Sequence, residues 1–266
     1  MAESLTFCED CMAVMARYPD KYFDLAVVDP PYGVNIGKTD TVGGANAVGR
    51  KAKIGGSESA GHIPFGDKSA WRKARKEHEA EIKILPHAKT GTVFEPKTYH
   101  AFDDSRIPEA AYFAELERVA KHRIIWGGNY FLDYLGRTSC MIFWDKDRHD
   151  LDFADGEFAW TDFHEPSRRF WFRWNGLLQG DMKHKEQRIH PTQKPVALHA
   201  WIFQRYAKPG FKILDTHLGS GSSRIAAYDA GLDFVGCELD KVYFELEEER
   251  FARHAAQGNL FLELES

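Results

Sequence analysis

The stretch "FKILDTHLGSGSSRIAAYDAGLDFVGCELD", residues 211 to 240, constrains the fold more than any other part of the chain. It reads strand, glycine turn, helix, strand, acid, an order that calls for two parallel strands joined by a crossover helix. Gly219 and Gly221 let the backbone turn tightly and approach a ligand, and the helix that follows offers free amides. Glu238 ends the next strand, where a carboxylate is positioned to bind the two hydroxyls of a ribose. A dinucleotide fingerprint needs a third glycine where Arg224 stands, and a complete Walker-type phosphate loop is absent. Asp215, directly after the first strand, repels a diphosphate and suits a cation such as the amino group of an amino acid. Ribose, adenine and a cationic amino acid together describe S-adenosylmethionine.

Short apolar runs elsewhere read as further strands: 5–7, 25–28, 123–126, 141–144, 158–160 and 170–172. Helical periodicity covers 108–120, with Pro108 at a first-turn position, and also 195–206, 222–230 and 240–256. Strands alternating with helices predict a single α/β domain, a doubly wound and mostly parallel sheet covered on both faces. Residues 35–96 break the pattern with a stretch rich in glycine, alanine and serine, too long for an idle loop. They are expected to form an insertion that is either a partner-contacting or a mobile segment, with a basic helix from about residue 69 to 84.

Composition narrows the class. No run approaches the roughly 18 apolar residues of a membrane span. The start, "MAESLTFCED", lacks the basic and apolar regions of a secretory signal. Four cysteines do not suggest a disulfide framework, so a cytoplasmic location is the expectation. Cys8 and Cys11 form a CxxC with no second pair, and the histidines have no metal-ligand spacing, so no metal is expected. Net charge is −5, yet basic residues cluster at Lys68, Arg72, Lys73 and Lys76. Arg168 and Arg169 open an Arg-aromatic alternation that suits either a sheet core or a nucleic-acid surface. Local potential governs polyanion binding more than the total, so a nucleic-acid partner stays open.

The run "FDLAVVDPPYGV", residues 23 to 34, carries the chemistry. An exocyclic amine on a nucleobase is a poor nucleophile because its lone pair is delocalised into the ring. Acceptors on that amine draw it towards tetrahedral geometry. Asp29 offers a carboxylate, Pro30 a carbonyl whose direction its ring fixes, Pro31 rigidity, and Tyr32 an aromatic face for stacking. The four residues read as a stiff clamp for a planar amine.

On these two motifs the chain resembles the amino-methyltransferases of DNA, of phage or bacterial type, which carry Asp/Asn/Ser-Pro-Pro-Tyr. It resembles in particular the β arrangement, in which that motif precedes the cofactor glycines. The resemblance implies an adenine-specific, S-adenosylmethionine-dependent enzyme acting on double-stranded DNA by base flipping. Methylation of the cytosine amine, or a non-catalytic DNA-binding protein keeping the fold, are the alternatives. It implies cofactor contacts from Asp10 and Cys11, and from Thr192 and Lys194 within "RIHPTQKPVAL". Further cofactor contacts are implied for Asp215, His217, Leu218, Gly219, Ser220, Gly221, Ser222, Glu238 and Leu239. His217 departs from the aromatic common at its position and is expected to pack there as a neutral ring. Relatives in this arrangement are often dimers, which adds a second copy of the chain as a potential partner.

Overall fold

The computed structural model describes residues 2–34, 99–147, 154–175 and 178–265, with backbone only from 258 onward, and these belong to one compact unit. The expected insertion at 35–96, with Lys68, Arg72, Lys73 and Lys76, lies outside the described residues. Chain order is β1 (Ser4–Phe7), α1 (Cys11–Met15), β2 (Phe23–Val28), α2 (Ala110–Val119) and β3 (Ala120–Trp126). Next come β4 (Met141–Asp145), β5 (Gly156–Thr161), β6 (Arg168–Trp171), and the short pair β7 (Trp174–Asn175) and β8 (Leu178–Gln179). The chain then forms α3 (Val196–Tyr206), β9 (Lys212–Asp215), α4 (Ser222–Asp229), β10 (Asp233–Cys237) and α5 (Lys241–Glu265).

The main sheet has the order β1-β10-β9-β2-β3-β5-β4-β6. Neighbours from β1 through β3 are all parallel. β5 runs antiparallel to both β3 and β4, and β4 is parallel to β6. The sheet is therefore α/β and mostly parallel, as the alternation of elements predicts.

β2 is central because its run is apolar on both faces. Leu25 and Val27 enter a core built with Leu198, Ile202 and Phe203 of α3 and Ala226 and Ala227 of α4. Ala26 and Val28 enter the opposite core, with Met15 of α1 and Phe113, Leu116 and Val119 of α2. Both layers are thus fastened to one strand, whose large apolar side chains each contribute roughly 1.5–3 kcal/mol when fully buried.

Some boundaries differ from expectation. α2 begins at Ala110 with Glu109 as its cap, so Pro108 sits just outside the helix rather than in its first turn. The five-residue α1 was not legible, being too short for periodicity; Asp10 caps it, its Oδ1 accepting from the amides of Met12 (2.9 Å) and Ala13 (3.3 Å). α5 continues to Glu265, beyond the expected stop near 256. Among the described residues no helix is long and apolar enough to cross a membrane.

Candidate active site

The order of strands reverses between β9 and β2: β9 leads outward to β10, β2 leads the other way to β3. At such a switch point the chain leaves neighbouring strand ends in opposite directions and opens a crevice. A cavity of about 510 Å³ lies there, lined by the residues following β1, β2, β9 and β10. Asp10, Cys11, Asp29 to Tyr32, Thr192, Lys194, Asp215, His217 to Ser220, Ser222, Glu238 and Leu239 all line it. Two motifs nearly two hundred residues apart in sequence thereby share one wall.

The glycine turn is built on two left-handed residues, Gly219 (φ +51°) and Gly221 (φ +69°). At Gly221 space matters too, since a Cβ would stand 2.3 Å from Glu247 Cγ of α5. Glu238 fastens the turn to β10 by accepting from the Gly219 amide (2.8 Å) and from that of Asp240 (3.0 Å). Burial raises its pKa above the usual carboxylate value. Asp215 accepts from the Ser223 hydroxyl and from the His217 amide (3.0 Å), yet burial pushes it up to about 7. A cavity lined by carboxyl groups is electrostatically matched to a cation, which favours their ionised form.

His217 packs edge-on to Tyr112 with ring centroids 5.5 Å apart, and its Nδ1 bonds the Thr216 hydroxyl (2.9 Å). Burial lowers its pKa to about 4, so the ring is neutral. His190, also neutral with a pKa driven down to about 3 by burial, takes the Thr192 hydroxyl on Nδ1 (3.0 Å). Its ring packs between Phe102 (4.8 Å) and Tyr243 (4.2 Å). Gly221 is closed off from the cavity; the remaining turn residues face it.

The Asp29 carboxylate is held on both oxygens. The Tyr32 hydroxyl donates to Oδ1 and the Lys194 ammonium to Oδ2. Lys194, expected on the cofactor side, lines the cavity, and its buried ammonium sits between Asp29 and Glu157, because a charge removed from water needs opposite charge beside it. The Tyr32 ring stacks on Tyr130 (5.1 Å, 14°). Gly127 (φ +67°) also lies against the ring, since a Cβ there would come within 2.2 Å of it. Gly127 and Tyr130 thus support Tyr32 without lining the cavity themselves, and Asp145, also outside it, pairs with Arg169 at 3.8 Å. Arg168 is half-buried and Arg169 exposed on β6, so the alternation is that of a sheet strand with one open face.

Sequence reasoning missed Glu157, Trp126, His199, Phe102 and Tyr243, all in the cavity wall. Glu157 alone left a signal, an acid inside the apolar strand "GEFAWT". Trp126 Nε1 and His199 Nδ1 are buried without a hydrogen-bond partner. Buried polar atoms normally have a partner, and these two, in the cavity wall, are available to a bound polar group. With the acids, they fit a polar, cationic nucleoside such as S-adenosylmethionine.

A mostly parallel sheet whose switch point joins a glycine turn, a strand-end acid and an Asp-Pro-Pro-Tyr clamp defines a methyltransferase of the S-adenosylmethionine-dependent type. The sequence profile of the DNA methylase family matches residues 23–249, and the chain belongs to that family of N6/N4 DNA methyltransferases. Type II methyltransferase M2.DpnII of Streptococcus pneumoniae is 24% identical over 91% of this chain and 87% of its own length. Type II methyltransferase M2.LlaDCHI of Lactococcus lactis subsp. cremoris is 22% identical over 94% and 89%. The solved structure of PvuII DNA methyltransferase (cytosine-N4-specific) superposes with a TM-score of 0.50 and 11% identity, covering 94% of this chain and 87% of that one. That superposition speaks to the fold. The enzyme uses S-adenosyl-L-methionine, and its substrate is DNA.

Proposed function

We propose that the enzyme methylates the exocyclic amine of adenine in double-stranded DNA, and that Asp29 is the acceptor which prepares that amine. The observation that supports this most is the Asp29 carboxylate at the cavity wall, held in one orientation by Tyr32 and Lys194. A base inside a duplex cannot reach it and must be flipped out. Asp29 and the Pro30 carbonyl accept from the amine and align its lone pair, while Pro31 and the Gly127 contact keep the clamp rigid. When bound, S-adenosylmethionine would supply a methyl group on its sulfonium and leave as the neutral thioether, while Asp29 is placed to accept the proton that the amine releases. Aspartate as first residue of the clamp favours adenine over cytosine. Arg168 and Arg169, with the basic residues of the 35–96 insertion, are assigned to the phosphates of the duplex. We assign the enzyme to the cytoplasm.

The test is digestion of DNA methylated with labelled cofactor, followed by mass identification of the modified nucleoside. N6-methyl-2′-deoxyadenosine upholds the reading, and N4-methyl-2′-deoxycytidine replaces it.

On the cofactor side, Glu238 is assigned to the ribose hydroxyls and Asp215 to the amino group. Glu238→Ala should weaken cofactor binding by about 1–3 kcal/mol, through loss of charge-assisted hydrogen bonds, and leave the methylated base unchanged. Unaltered affinity by calorimetry removes Glu238 from the ribose.

The Asp215 assignment gives a pH dependence. Its folded pKa of about 7 lies above the ordinary value of 3.8, so the free protein carries a proton there below pH 7. A cationic amino group binds the ionised form, and binding expels that proton. Cofactor affinity should therefore fall as pH drops from about 8 to 5, by up to tenfold per unit below the pKa. Asp215→Asn should flatten the profile; a wild-type profile already flat over this range detaches Asp215 from the amino group.

A further inference from the structure

We propose that Glu157 is a positioning residue for methyl transfer: it receives the Lys194 ammonium when the target amine takes its place on Asp29. The inference rests on the reading of Asp29 as the amine acceptor. In the structure both oxygens of Asp29 are occupied, by the Tyr32 hydroxyl and the Lys194 ammonium. An incoming amine must share or displace one of them. The Tyr32 hydroxyl belongs to a ring stacked on Tyr130 and lying close against Gly127. Lys194 is the movable partner, with three N–H groups on a flexible stem.

Glu157 provides its second seat. Lys146 binds Oε1, whereas Oε2 is buried and lacks a well-formed hydrogen bond although it stands 3.2 Å from Lys194 Nζ. A small rotation of the ammonium completes that bond and frees the near side of Asp29 Oδ2. The cation stays between two carboxylates throughout, so no buried charge is left alone. Asp29, Lys194, Glu157 and Lys146 form a row of alternating sign, running from the clamp to the antiparallel strand β5. Without Glu157, Lys194 has a single anionic partner and remains on Asp29.

Glu157→Gln keeps the shape of the side chain and removes its charge. It should lower the single-turnover rate by about tenfold, the middle of the range for contacting residues that couple. Melting temperature should fall, because Lys146 and Lys194 each lose an anionic partner, so rates are compared below the onset of unfolding; cofactor affinity should hold. Glu157→Asp, which keeps the charge but retracts it, should fall between the two. The pH profile separates this role from a structural one. Groups facing Asp29 are Lys194 and the Tyr32 hydroxyl, with Asp215 across the cavity; those facing Lys194 are Glu157, His190 and His199, both rings neutral. Lys194→Met strips the cation from two carboxylates and, at saturating cofactor so that Asp215 does not report, should move the acid limb of the single-turnover rate to higher pH. Glu157→Gln should move it down or not at all. In the Lys194→Met background, Glu157→Gln should cost little more, since its effect passes through the lysine.

A Glu157→Gln enzyme of near wild-type rate, or losses that add fully in the double variant, overturns the proposal. If Asp29→Ala is itself active, the reading of the clamp has failed; if that variant is inert and Glu157→Gln is normal, only the role of Glu157 has failed.

Discussion

Asp29→Ala is expected to reduce methyl transfer several hundred-fold or more. The carboxylate is the one anionic acceptor of the clamp, and removing an acceptor or donor aimed at developing charge typically costs about 3–4 kcal/mol in the transition state. Two neighbours should survive its loss. Lys194 keeps Glu157 as counter-charge, and Tyr32 keeps its stack on Tyr130, so the variant should fold and bind cofactor. Asp29→Asn retains one acceptor oxygen and should be less damaged than the alanine variant. Single-turnover transfer of labelled methyl to DNA measures both. An alanine variant within a few-fold of wild type would mean that the amine is prepared elsewhere.

The largest effect on stability is expected at Arg224, where a glycine would be found in a dinucleotide-binding helix. Its guanidinium is buried in α4, bonded to Glu247 (3.0 Å) and Glu248 (2.7 Å) of α5 and to the Ser4 hydroxyl (3.0 Å) of β1. It also covers the Phe251 ring at 3.8 Å. Glu247 is wholly buried, and burial pushes its pKa up to about 7 even with the arginine opposing that rise. Arg224→Met leaves this carboxylate without a cation, a change that costs about 3–5 kcal/mol in comparable buried pairs. The loss should depend on pH. A group whose folded pKa lies above its unfolded value contributes stability below the unfolded pKa and loses it as pH rises through the folded one. Without the arginine that folded pKa climbs further, so urea denaturation should find a larger deficit at pH 8 than at pH 5. Equal stability of variant and wild type at pH 8 would remove the pair from the forces holding α4 to α5.

The same arginine illustrates how much the sequence conveys. Its presence was enough to reject a dinucleotide site, because a missing glycine is a local fact. What it does instead depends on Glu247 and Ser4, which only the fold brings near. Strand cores such as 25–28 and 234–237 were legible because a strand buried on both faces needs an unbroken apolar run. The direction of β5 was not, since an apolar strand reads alike in either sense. Asp29 and Glu238 were legible through rigid neighbours, two prolines and a glycine turn, that restrict what an acid can do there. Lys194 was found, but its pairing with Asp29 and Glu157 was not legible, because those carboxylates are remote from it in sequence.

The outer position of β1 bears on how the enzyme is made. Ser4 to Phe7 pair in parallel with Phe234 to Cys237, and the Glu3 amide reaches Asp233 across a separation of 230 residues. β1 leaves the ribosome well before the strand it pairs with. At about 5–20 residues per second it waits roughly 10 to 50 s, during which the β2–β3 pair can form and bury its own apolar surface. The methyl-donor pocket, which needs the ends of β1, β9 and β10 together, is assembled only after β10 has been made. A nascent chain therefore carries its amine clamp well before it can hold a methyl donor, and competence to modify DNA arrives in one late step.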